Sequence, residues 1–452
     1  MAPRDIPGYY WDAEKGRYFK VESSNTAPQD AAWSSTSFKR RKIEDEESIA
    51  RLRRADRAKG LIKRSRVLNA PLMGGFLAHE FGGRIPDFDT ALFADGIVKK
   101  GRVSIDPRRR STNLRHMLVA ADKFGDGWCY AYGSMNDGIV VSDRISRAGE
   151  AQLIDNTRSY RRTFDMDVPC ADIKHSEKFN RVLVAPARPL DATRPLVTLD
   201  PWTLLPMNIS HRLGSGYKGL EMDTEGVSCT LGIPPSSSEY VCLVGTTRGV
   251  VAVSPQGTFT PISPEGKKYR DVFSIGFCDT KPDIAYFGGR PGWVWAVDMR
   301  KGDQTVVNMS VQNAITNVRL IDENNILVAS LRNTLAVYDL RNFQFFEPST
   351  ATAVMVMDGY KNQARIDIGL DYHKESGIVA AAHDDGKVAL YSVRTGRRVP
   401  SPDIDAISSR FGAIRCLQFQ NFYNDATPSL FVGEGTNVQV YSFGTNSPGD
   451  EA

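Results

Sequence analysis

Paired cysteines are missing. The six cysteines, Cys129, Cys170, Cys229, Cys242, Cys278 and Cys416, are scattered through 452 residues with no Cys-x-x-Cys and no Cys/His cluster. That spacing speaks against a structural zinc site and predicts buried, reduced thiols of a cytosolic or nuclear chain. No run of 18 apolar residues occurs, so no transmembrane helix is expected. The opening Met1-Ala-Pro-Arg-Asp5 lacks the apolar core of a secretory signal. Catalytic signatures are equally scarce: there is no nucleophile elbow and no His-Glu-x-x-His. His383-Asp384-Asp385-Gly386 could suggest a general base or metal ligand. Its Asp-Gly pair falls where neighbouring segments have hairpin turns, and it is read as a turn. Gly288-Gly289-Arg290-Pro291-Gly292 lacks the Lys-Ser/Thr pair of a phosphate loop and precedes a strand rather than a helix, so it too reads as a turn. No metal, no cofactor and no catalytic residue is expected.

Neither sign of charge dominates: 57 Lys and Arg stand against 53 Asp and Glu, a net +4. The balance hides a segregation. Residues 39–66 carry twelve basic and five acidic residues, a local +7 that leaves the other 424 residues at −3. Lys39-Arg40-Arg41-Lys42 has the form of a basic nuclear-import signal, which places the protein in the nucleus, with the cytoplasm as a further location. Residues 22–38 are small and polar, so 1–43 is read as an aromatic motif followed by a flexible basic linker. Residues 44–66 contain no Pro and carry Ile49, Leu52, Leu61 and Ile62 among charges, too sparse for a core face. They are read as a solvated or docking helix. Residues 67–104 form a connecting segment and 446–452 a tail.

From 105 to 445 the texture is that of short β-strands: apolar and β-branched runs broken by Gly, Asn, Asp and Pro. One pattern recurs, an apolar run, a turn, and a second apolar run closing on a polar residue. The closing positions are 143, 200, 254, 298, 339, 392 and 442, at steps of 57, 54, 44, 41, 53 and 50. Hairpins at that period are the mark of propeller blades, which stack because none can bury both faces alone. The expectation is an all-β, seven-bladed β-propeller with an N-terminal extension. The run Leu92–Val98 is the candidate for the outer strand that closes the last blade. These repeats resemble the WD-repeat family over 105–445 in degenerate form, since no Gly-His opens a blade and no Trp-Asp closes one.

Two consecutive blades end alike, Val297-Asp298-Met299-Arg300 and Tyr338-Asp339-Leu340-Arg341. Period-two geometry sends each Asp and its Arg to one side, where the carboxylate can orient a guanidinium for a partner. The doubled Asp-x-Arg is similar to the box of cullin-4 substrate receptors, WD-repeat proteins that dock on the damaged-DNA-binding adaptor. Near the N-terminus, Pro7-Gly8-Tyr9-Tyr10-Trp11 and Arg17-Tyr18-Phe19 flank a short turn. A lone two-stranded hairpin is marginal in water, so five aromatics on it predict a docking element. The string resembles the N-terminal signature of the family of cullin-4-associated factor 4, with Trp11 standing where that signature has Tyr. In such receptors a helix ahead of the propeller also enters the adaptor, and 44–66, with Ile49 and Leu52 as anchors, would fill that part.

The resemblance implies a non-enzymatic receptor subunit of a cullin-4 ubiquitin ligase: Asp298, Arg300, Asp339 and Arg341 meet the adaptor, and the propeller holds an unknown protein substrate. The rival reading is a nuclear scaffold of chromatin or ribosome assembly whose basic segment binds nucleic acid. No aromatic lies between Lys39 and Arg66, so such binding would be non-specific and steeply salt-dependent.

Overall fold

In the computed structural model the described residues are two short strands, at 9–12 and 17–20, and most of 88–444, with breaks in several loops. The chain divides into two compact units, Met1–Gly82 and Gly83–Ala452. In the first, strands Tyr9–Asp12 and Arg17–Lys20 pair antiparallel, with Tyr10 opposite Phe19 and Trp11 opposite Tyr18. This is the expected aromatic hairpin.

The second unit is a seven-bladed β-propeller. Each blade starts at an inner strand, and the chain runs antiparallel towards the outside. Blade 1 is built on His116–Ala121, Cys129–Ser134 and Ile139–Ala148, with Leu153–Asp155 and Arg162–Asp165 both paired to the third strand. Blade 2 uses Cys170–Ser176, Arg181–Pro186 and Val197–Leu199, with no fourth strand among the described residues. Blade 3 runs from Ser228–Gly232 to Phe259–Ile262, and blade 4 from Val272–Cys278 through Lys281–Gly289 and Trp293–Asp298 to Thr305–Ser310. Blade 5 comprises Ile315–Leu320, Asn325–Ser330, Thr334–Asp339 and Met355–Val356. Blade 6 comprises Leu370–His373, Ile378–Ala382, Val388–Ser392 and Arg398–Val399. Blade 7 has Cys416–Gln420, Ser429–Glu434 and Asn437–Phe443 and takes its outer strand, Ile97–Ser104, from the other end of the unit.

Why the middle strands are apolar on both faces follows from this stacking. Along Asn325–Ser330, Ile326 and Val328 pack towards blade 4 while Leu327 and Ala329 pack towards blade 6. Alternation therefore selects between two seams rather than between core and solvent. Every seam is one hydrophobic cluster, including the closing one, where Val119, Val141 and Ile145 of blade 1 meet Phe431, Val438 and Val440 of blade 7.

Nearer the axis, polar side chains of inner strands clasp the next blade's backbone. Asp172 accepts the Leu231 N–H at 2.8 Å and Ser274 Oγ accepts that of Val318 at 3.0 Å. Asn317 donates to the Ile368 carbonyl at 3.3 Å, and Asp371 accepts the Phe419 N–H at 2.7 Å. Gln418 takes both groups of Val119, at 2.7 and 2.8 Å.

Two expectations are corrected. The closing strand is Ile97–Ser104, so the run chosen for it contributes Ile97 and Val98 while Leu92–Gly96 lies in the helix Phe88–Gly96. Helix and strand make the second unit begin well before 105; Phe93 and Ala94 are buried in the seam of blades 6 and 7. Asp143 does not end its strand, which runs on to Ala148 because two outer strands pair along it. The cysteines with described side chains, Cys170, Cys229, Cys242, Cys278 and Cys416, are free thiols, and burial raises the pKa of Cys170, Cys229, Cys242 and Cys416, that of Cys229 to about 12. Among the described residues no helix is long and apolar enough to cross a membrane.

Candidate docking site

Blades 4 and 5 carry the two Asp-x-Arg ends at equivalent places. Asp298 and Asp339 are the last residues of the third strands. Each carboxylate first makes an Asx-type turn, Oδ1 accepting the backbone N–H two residues on, at 3.1 Å for Arg300 and 2.9 Å for Arg341. The same carboxylate then takes the guanidinium through Nε and Nη2: 3.0 and 2.8 Å for Arg300, 3.0 and 2.7 Å for Arg341. The pairing is the fork-on-fork arrangement of a charge-assisted pair. The carboxylates are largely covered, with side chains 9% and 13% exposed, whereas the arginines stand out at 65% and 68%. Arg341 holds the Asp339 carboxyl down at about 2. Exposed pairs contribute little to stability, so the geometry presents arginine rather than holding the fold. Arg341 lies in a short 3-10 turn, Leu340–Asn342, not in an irregular exit loop.

Adjacency is built in. The inner strands of blades 4 and 5 pack side by side, and after Arg341 the chain crosses back, where Ser349–Thr350 pairs in parallel with the outer strand of blade 4 before Met355–Val356 returns to blade 5.

The expected basic pair carries more counter-charge than its sequence shows. Asp283 lies 3.6 Å from Arg300 Nε, and the field of Asp322 acts on Arg341. Asp283 lies in the second strand of blade 4, next to Ile284, which pairs with Asp298, and Asp322 lies three residues before Asn325, which opens the second strand of blade 5 and pairs with Asp339. Sequence reasoning missed them because that pairing is not local. Asp322 also folds its own turn, accepting the N–H of Asn324 and of Asn325 at 2.8 Å each. On the same side Lys374 of blade 6 reaches Asp279 of blade 4 at 2.8 Å. The arginines are thus placed as directional donors inside a mixed-charge surface, not as a positive patch.

The remaining candidates divide cleanly. His383–Lys387 is a hairpin turn: the His383 N–H donates to the Lys387 carbonyl at 2.8 Å, and Gly386 adopts a φ of +82°. His383 is buried with Nε2 3.1 Å from the Tyr391 hydroxyl, and burial lowers its pKa. Gly289–Gly292 is likewise a turn, closed by a 3.0 Å bond from the Gly292 N–H to the Gly289 carbonyl. Among the described residues no group of three or more His, Cys, Asp or Glu could hold a metal. A cleft of about 610 Å³ beside blade 7 is lined by Lys99, Asp403, Glu434, Gln439 and Tyr441. Its polar groups bond one another: the Lys99 N–H donates to Asp403, Gln439 to Glu434 and Tyr441 to Gln439. In the N-terminal hairpin the Arg17 guanidinium lies 5.3 Å over the Phe19 ring. Pro7, Gly8, Lys39, Arg40, Arg41, Lys42, Ile49 and Leu52 lie outside the described residues.

No family model matches the sequence. The bovine (Bos taurus) DDB1- and CUL4-associated factor 4 is 24% identical over 455 aligned positions, covering 91% of this chain and 84% of that protein. The human (Homo sapiens) protein of that name is 27% identical over 189 positions, 38% of this chain and 34% of the relative, so this match spans about a third of the human protein. The chain is a WD-repeat propeller protein similar to DDB1- and CUL4-associated factor 4. The fold has a solved counterpart in the WD40 β-propeller domain of Doa1, with a TM-score of 0.53 at 10% identity, covering 77% of this chain and 97% of that domain. The likeness to the bovine DDB1- and CUL4-associated factor 4 extends along 91% of this chain.

Proposed function

We propose that the protein is a non-catalytic substrate receptor of a cullin-4 ubiquitin ligase, which docks on the damaged-DNA-binding adaptor through Arg300 and Arg341. The observation that carries this reading is the repeated Asp-x-Arg turn on consecutive blades, each carboxylate covered and each guanidinium exposed. The likeness to a protein named for its association with DDB1 and CUL4 supports it. Asp298 and Asp339 fix the rotamer, so the arginines meet a partner with little further ordering cost. The receptor's contribution to the reaction is proximity: a substrate on the propeller is brought near the charged ubiquitin carrier that other subunits supply.

Replacing Arg300→Ala and Arg341→Ala together is expected to weaken adaptor binding by about 100-fold or more, as for two truncated hot-spot arginines. Melting temperature should stay unchanged, since neither side chain packs in the core. Co-purification and titration of purified adaptor read the first, differential scanning calorimetry the second. Wild-type affinity in the double variant would exclude this docking mode.

A further inference from the structure

A third blade repeats the turn without the carboxylate. The third strand of blade 6, Val388–Ser392, closes on Ser392 in the place of Asp298 and Asp339. Ser392 Oγ accepts the backbone N–H of Arg394 at 3.2 Å, the counterpart of the 3.1 and 2.9 Å bonds that set Arg300 and Arg341. A hydroxyl at that position makes the same local turn as an Asp, only more weakly. Three consecutive blades therefore send an arginine out two residues beyond the third strand, on one side of the ring. Arg394 is exposed like the other two.

The third position neighbours the same charges as the second. Tyr372, on the inner strand of blade 6, feels both Asp322 of blade 5 and Arg394 of blade 6, and Asp322 is the acid whose field also acts on Arg341. Arg394 lies against the turn that follows that inner strand, its Nε in ordinary contact distance of Gly377, 3.6 Å from where a Cβ would stand. Electrostatically the third end differs. Blades 4 and 5 each contribute a strand-closing carboxylate to their arginine, whereas Ser392 contributes the turn and no charge.

We propose that Arg394 is the third contact of the docking face and takes a carboxylate of the same adaptor that meets Arg300 and Arg341. The inference rests on the adaptor-docking reading above. A charge-assisted bond at the edge of an interface acts on affinity and on its salt dependence.

The test titrates the full-length chain with purified damaged-DNA-binding adaptor at low and high salt. Arg394→Gln, which keeps most of the stem, is compared with Arg394→Lys and with Lys387→Ala, a loss of charge in the blade 6 hairpin on the opposite side of the ring. Arg394→Gln is expected to raise Kd about 5- to 10-fold at low salt and to flatten the salt dependence. Arg394→Lys should recover part of the loss, and Lys387→Ala should stay within about twofold of wild type. Arg394→Gln within twofold of wild type, beside a double Arg300→Ala, Arg341→Ala variant that does not bind, overturns the third contact and leaves the docking reading intact. An equal loss in Lys387→Ala also overturns it, since net charge alone would then explain the effect. A double variant that binds like wild type removes the docking reading, and the third contact falls with it.

Discussion

His116, the first residue of the inner strand of blade 1, has a ring nitrogen, Nε2, that is buried with no hydrogen-bond partner among the described residues. Burial lowers its pKa from 6.5 to about 4, with Arg115 and Lys174 lowering it further and Asp172 and Asp367 opposing. The folded value lies below the unfolded one, so the unfolded chain binds more protons between the two. Stability contributed by the neutral ring is complete above about pH 6.5 and is lost as pH falls towards 4, by about 3 kcal/mol if the whole shift is realised. His116→Gln should therefore show a shallower loss of stability between pH 6.5 and 4 than wild type. Denaturant midpoints across that window provide the measurement, and parallel curves would mean that His116 does not titrate there.

At the scale of strands and turns, side-chain clasps matter as much as ladders. Asp371 serves two roles, accepting the Phe419 N–H at 2.7 Å and lying 3.7 Å from Arg319 Nε, so it ties blade 6 to blades 5 and 7. Asp371→Ala leaves a covered N–H without its acceptor and should cost about 1–3 kcal/mol. Asp371→Asn keeps an acceptor oxygen and should cost less. Urea unfolding of both variants tests the ranking, and an equal loss would assign the effect to charge rather than to the clasp. Such clasps were not legible in the sequence, because nothing in Asp371 or Gln418 says which neighbouring backbone it faces. What was legible is local. The Asp-x-Arg turn spans three residues, so spacing alone predicts its geometry, and the Tyr10 and Trp11 register with Phe19 and Tyr18 follows from one short turn. The counter-charges Asp283 and Asp322 escaped notice because they reach their arginines only through strand pairing. Arg394 escaped because Ser392 makes an Asp-like turn without an Asp.

For the whole molecule the decisive contact is the one that closes the ring. Ile97–Ser104 pairs with Asn437–Phe443 in seven register steps, from Ile97 opposite Phe443 to Ser104 opposite Asn437. The seven markers locate the blades, and the run 92–98 is the candidate for the closing strand, yet the periodicity stops at the first inner strand and does not place the closing strand at Ile97–Ser104. Hence 105 looked like a boundary. A chain beginning at 105 would lose the outer strand of blade 7 and expose Asn437–Phe443 as an unpaired edge. It would also lose Val103 from the seam with blade 1 and Phe93, Ala94 and Ile97 from the seam with blade 6. Burial of Val103, Phe93 and Ile97 contributes roughly 1.5–3 kcal/mol each and that of Ala94 less, comparable in sum with the whole stability of a typical domain. A fragment of residues 83–452 is therefore expected to melt in one cooperative transition close to that of the propeller in the full chain, while 105–452 melts far lower or aggregates. Calorimetry on the two fragments decides it, since equal melting temperatures would show that the ring holds through its seven seams without the strand that closes it.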